Sequence, residues 1–104
     1  MPKKYYTIKE VFKLIERLET KSNRMPELLG FRSMDICKSF KQLISLTNSL
    51  AIVFLQYSLI PQALKLLKKA ASADLSLQRY GSLMDRFWQG RMVTYNNLAW
   101  MYLK

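Results

Sequence analysis

Apolar residues recur along this chain at helical spacing over long stretches, with polar and charged residues on the intervening positions. The first such stretch opens with Thr7-Ile8-Lys9-Glu10, which has the form of a capping box: the Thr hydroxyl and the Glu carboxylate satisfy each other's free backbone N–H groups. Ile8, Val11, Phe12, Ile15 and Leu18 then mark one face, and the helix is expected to run to about Glu19. Lys21 to Ser33 contains Asn23, Pro26 and Gly30 and reads as a connecting loop, with Met25, Leu28, Leu29 and Phe31 expected to fold onto the core.

A second helix is expected after Ser33, taken as N-cap with Asp35 in the first turn. Its apolar stripe is Met34, Cys37, Phe40, Ile44, Thr47, Ala51 and Phe54, joined by Leu43 and Leu50, and it should end near Ser58. Pro61 suits the first turn of a third helix, where its missing N–H costs little. Ala63, Leu64, Leu67, Ala70 and Ala71 form that helix's inner face, with Lys65, Lys68 and Lys69 outside and Gly81 as the stop. The last segment, 82–104, carries Met84, Trp88, Tyr95, Leu98, Ala99 and Tyr102 at helical spacing. Gly90 is expected to kink or split it. No cap follows Lys104, so the chain reads as stopping in mid-helix.

Composition narrows the function more than the fold. Of 104 residues, 17 are Lys or Arg and 7 are Asp or Glu, a net charge of +10 that favours an acidic partner. Histidine is absent and Cys37 is the one cysteine, which excludes Ser–His and Cys–His nucleophilic arrangements and any intramolecular disulfide. The carboxylates are scattered and no Gly-rich phosphate loop is present, so no catalytic, cofactor or metal residue is expected. Cys37 lies on an apolar stripe and reads as a small buried hydrophobe. No apolar h-region follows Met1-Pro2-Lys3-Lys4, and Glu10, Glu16 and Glu19 argue against a mitochondrial presequence.

An internal similarity organises the rest. Leu50-Ala51 and Phe54 are followed by Ala63, Leu67 and Ala70, and the small residues would let two antiparallel helices approach closely. These intervals resemble a tetratricopeptide repeat. Thr94 to Tyr102, with Asn96-Asn97-Leu98-Ala99 at its centre, looks like the first helix of another repeat of the long-spaced kind found in kinesin light chains and in ciliary and cytoskeletal adaptors. The interval from Leu50 to Leu98 exceeds the roughly 34 residues of the standard repeat.

The resemblance implies an all-α fold of antiparallel helical hairpins, an incomplete solenoid of about four helices. Residues 1–40 would be an N-terminal helix and connecting loop, and 41–104 one repeat plus the first helix of a second. Leu50, Ala51, Phe54, Ala63, Leu67, Ala70, Leu98, Ala99 and Tyr102 are the implied packing residues. Repeats of this kind bind proteins and carry out no chemistry. Since each unit buries its face on the next, the last helix, with Tyr95, Leu98 and Tyr102, would lack its cover until another chain supplies it. Partner contacts are expected at Lys65, Lys68, Lys69, Arg86, Arg91, Asn96, Asn97 and Trp100, in a cytoplasmic scaffold subunit, cytoskeletal or ciliary by the resemblance.

Two other readings stay open at this stage. No charge lies between Lys41 and Lys65, so residues 43–60 come close to the length of a membrane span, as in a small basic subunit of a mitochondrial or other membrane complex. Lys65, Lys68, Lys69, Arg79, Arg86 and Arg91 would suit a ribonucleoprotein subunit, although no nucleic-acid recognition motif accompanies them.

Overall fold

Local sequence signals place the helix ends. The computed structural model of the chain describes residues 6–28, 30–81 and 88–103. Helix α1 spans Ile8–Arg24. Thr7 Oγ1 accepts the Glu10 backbone N–H at 3.1 Å, one half of the expected capping box, and donates its own hydroxyl proton to the Glu10 carboxylate at 3.1 Å. The helix passes Glu19 and stops only where Pro26 enters a 3-10 turn over Met25–Glu27, because neither Lys21 nor Asn23 prevents helical geometry as proline does. Met25 is buried, whereas Leu28 and Phe31 are 49% and 44% exposed, so only part of this connection folds onto the core. Leu29 lies outside the described residues.

Helix α2, Ser33–Gln56, has Arg32 rather than Ser33 at its N-cap, and the Asp35 carboxylate accepts the Arg32 N–H at 3.0 Å. Met34 is 77% exposed and leaves the stripe, while Cys37, Phe40, Leu43, Ile44, Thr47, Ala51 and Phe54 are buried. Residues 57–59 turn the chain, with Ser58 at φ 60°, and helix α3, Ile60–Tyr80, begins with Pro61 in its first turn. The apolar run 43–60 therefore fills α2 to Gln56 and breaks at the turn, with only Ile60 entering α3. Among the described residues no helix is long and apolar enough to cross a membrane.

The α2–α3 hairpin is the centre of the molecule. Ala51, Ala63 and Ala70 are completely buried along its seam with Leu66, Leu67 and Leu77, side chains that each contribute about 1.5–3 kcal/mol through burial. Phe40 stacks on Tyr80 at 6.4 Å near the open end of the hairpin. Gly81 ends α3 in extended backbone, not in a left-handed cap, and donates its N–H to Leu77.

Helix α1 packs on the hairpin through Ile15 and the half-buried Val11, Phe12 and Leu18; the Phe12 and Phe54 rings lie 6.2 Å apart. Ser22 and Ser39, both buried, share a 2.6 Å hydrogen bond between α1 and α2. Helix α4, Gln89–Tyr102, packs against α3 and α2. Residues 82–87, Met84 among them, lie outside the described residues, and with them the part of the segment that Gly90 was expected to kink or split. Gly90 sits in the first turn of α4 under the Trp88 indole, where a Cβ would lie 2.3 Å from ring carbons. The four helices form an all-helical plate of 40 × 38 × 17 Å, about two helices thick.

Candidate protein-interaction site

Polar pairs buried between apolar neighbours fix the position of α4. Asn48, on the buried side of α2, donates to the Ile44 carbonyl at 2.9 Å and to Thr94 Oγ1 at 2.8 Å. Thr94 in turn donates to the Gly90 carbonyl, and Asn97 donates to Asn48 Oδ1 at 2.9 Å. On the α3 side, fully buried Asp74 accepts the Arg91 Nε–H with both carboxylate oxygens, at 2.9 and 3.0 Å, and accepts Gln78 Nε2 at 3.1 Å. Unpaired, these groups would each cost a desolvation penalty, so the pairs select one register for α4. Neither cluster was identified from the sequence. Asn48 within an otherwise apolar run and Asp74 on the inner face of α3 are the signals that pointed to them.

With α4 held in this way, a shallow groove of about 520 Å³ lies between it and the last turns of α2, lined by Ile52, Leu55, Gln56, Asn96, Asn97 and Trp100. It has apolar walls, three side-chain amides and no charge. Asn96 and Trp100 are exposed, whereas the Asn97 amide is partly committed to Asn48. The structure thus brings together three of the residues singled out as partner contacts.

Others already have contacts within the chain. Lys69 pairs with Glu19 at 2.6 Å, tying α3 to α1. Lys65 lies over the Phe12 ring at 4.9 Å. Arg91 is held by Asp74. These cations hold helices to one another, so a solvent-side position in the helical pattern did not mean an unoccupied charge. Lys68 is exposed, and Arg86 falls outside the described residues.

The packing residues divide in the same way. Leu50, Ala51, Phe54, Ala63, Leu67 and Ala70 are buried or half-buried in the hairpin, and Leu98 is half-buried against the core. Ala99 is exposed and Tyr102 is 68% exposed. Tyr95 is also exposed, so the open face of α4 is formed by Met92, Tyr95, Ala99 and Tyr102, while Leu98 turns inward with Thr94 and Met101. Advanced by the interval from Leu50 to Leu98, the α2 residues Ile44, Thr47, Ala51 and Phe54 fall on these same four positions. On α2 that edge is 0–8% exposed beneath α3; on α4 it is open.

Among the described residues no group of His, Cys, Asp or Glu side chains is gathered so as to hold a metal ion. No family model matches the chain, and no curated protein or solved structure matches it significantly.

Proposed function

We propose that the chain is a non-enzymatic protein–protein interaction scaffold of the tetratricopeptide-repeat type, whose working surface is α4. The observation that carries this reading is the contrast between Ala51 and Phe54, buried under the neighbouring helices, and Ala99 and Tyr102, which have the same spacing and stand exposed. A helix contributed by another chain would cover Met92, Tyr95, Ala99 and Tyr102 as α3 covers α2, with Ala99 permitting close approach. The uncharged groove on the other side of α4 suits a peptide segment, since exposed amides can bond its backbone while Ile52, Leu55 and Trp100 take apolar side chains. By its resemblance to long-spaced repeats, the scaffold belongs in a cytoplasmic assembly of the cytoskeletal or ciliary kind.

Light scattering combined with far-UV circular dichroism on the purified full chain tests this. The reading expects self-association, or helicity completed only by a co-expressed partner, and expects Met92→Glu/Tyr102→Glu to give a monomer of unchanged helix content. A wild-type chain that is monomeric and fully helical on its own would overturn it.

A further inference from the structure

The three cations that cross between helices leave a separate row on α1. Lys9, Lys13, Arg17 and Lys21 follow one another at every fourth residue, Arg24 joins the row, and all five are exposed. Four residues of helix rise about 6 Å, so the row extends over about 22 Å. Lys13, Arg17, Lys21 and Arg24 line one open groove of about 790 Å³ together with Glu16 and Leu28. Among the described residues no ion pair engages these cations, whereas Lys69 and Arg91 each have one.

We propose that this groove is a docking surface for an acidic amphipathic helix, whose carboxylates at every fourth residue would match the 6 Å repeat of the α1 cations. The proposal rests on the scaffold reading above and adds a second surface on a different helix. Charge complementarity calls for an acidic partner, and three features favour a helix over a phosphate polymer. Glu16 stands within the row, where it would repel a uniform chain of phosphates but can face a basic residue of a mixed-charge helix. Exposed Leu14 and Leu28 flank the cations and offer contact to the apolar side of such a helix. The groove also contains no aromatic ring, and Tyr6, exposed beside Lys13 and Arg17 in the adjoining pocket, is a single ring and not a platform for successive bases.

The test is fluorescence anisotropy with the full chain and a labelled, hydrocarbon-stapled peptide of about 20 residues carrying Glu at every fourth position. Its competitors are a single-stranded oligonucleotide of matched charge and vesicles containing phosphatidylserine. The acidic helix should bind more tightly than either competitor. Lys13→Glu/Arg17→Glu/Lys21→Glu should weaken it at least tenfold, and a lysine version of the peptide should bind this variant. The milder Lys13→Gln/Arg17→Gln/Lys21→Gln change supplies the same readout should the reversal perturb folding. Tighter binding of the oligonucleotide or the vesicles, or equal peptide affinity in wild type and both variants, overturns the proposal. Failure here is distinguishable from failure of the scaffold reading, since the α1 substitutions leave the α4 residues in place and, in about 0.5 M salt where charge repulsion is screened, should leave the association through α4 unchanged in light scattering.

Discussion

Asp74 and Asn48 define the chemistry of this molecule at the level of single residues, because each is a polar group buried where only one arrangement satisfies it. Asp74 has no exposed surface and holds Arg91 at 2.9 Å, so Asp74→Ala leaves a largely buried guanidinium without its counter-charge. Urea denaturation should show a loss of about 3 kcal/mol, at the low end for a broken buried pair because Arg91 keeps some solvent contact. Asn48→Ala removes the bonds to Thr94 and Asn97 and should cost about 2 kcal/mol. The groove residues behave in the opposite way. Asn96 is exposed, so Asn96→Ala should change stability by less than about 0.5 kcal/mol, whereas Trp100 has about half of its surface covered and Trp100→Ala should cost about 1–2 kcal/mol. Peptides selected from a display library on the full chain should nevertheless lose at least tenfold in affinity for both variants. Equal affinity would place their binding elsewhere.

Among the elements, α2 and α4 share a spacing of side chains but not an environment. Ala51 and Ala99 occupy equivalent positions, one sealed under α3 and the other open. Ala51→Leu should therefore overpack the hairpin seam and cost at least about 2 kcal/mol, while Ala99→Leu in the isolated chain should be neutral within about 0.5 kcal/mol. Thermal or urea unfolding of the two variants compares the positions directly. Comparable losses would mean that α4 is covered after all. The α2–α3 turn offers a smaller effect. Ser58 at φ 60° occupies the left-handed region, so Ser58→Gly should be neutral or slightly stabilising, whereas β-branched Ser58→Val should cost about 1–2 kcal/mol.

At the scale of the whole molecule, charge and apolar surface are segregated. Helix α1 carries the row of cations, and the open face of α4 has no charged group, in a chain with a net charge of +10. The two surfaces should respond to salt in opposite directions. Between about 0.05 and 0.5 M salt the repulsion between like-charged molecules is screened, so association through α4 should increase in sedimentation experiments. Over the same range, binding of an acidic helix to α1 should weaken.

The sequence by itself determined the helices, because helical periodicity, the Thr7–Glu10 box and Pro61 act within a few residues of where they stand. It also determined the α2–α3 seam, since Ala51, Ala63, Leu67 and Ala70 can be buried together only when two helices meet along that line. Other features were decided by the tertiary structure. Lys65 and Lys69 occupied solvent-side positions in the pattern and Arg91 was expected to meet a partner, yet each is engaged by a residue from another helix. Whether a long cationic side chain reaches a ring or a carboxylate depends on where the neighbouring helix lies, not on its own spacing. The inward turn of Leu98 and the exposure of Ala99 likewise depend on the hydrogen bonds that Thr94, Asn97 and Arg91 make with Asn48 and Asp74, which set the rotation of α4. Apolar and polar side chains are mixed around the circumference of that helix, so periodicity alone could not choose the side it would bury.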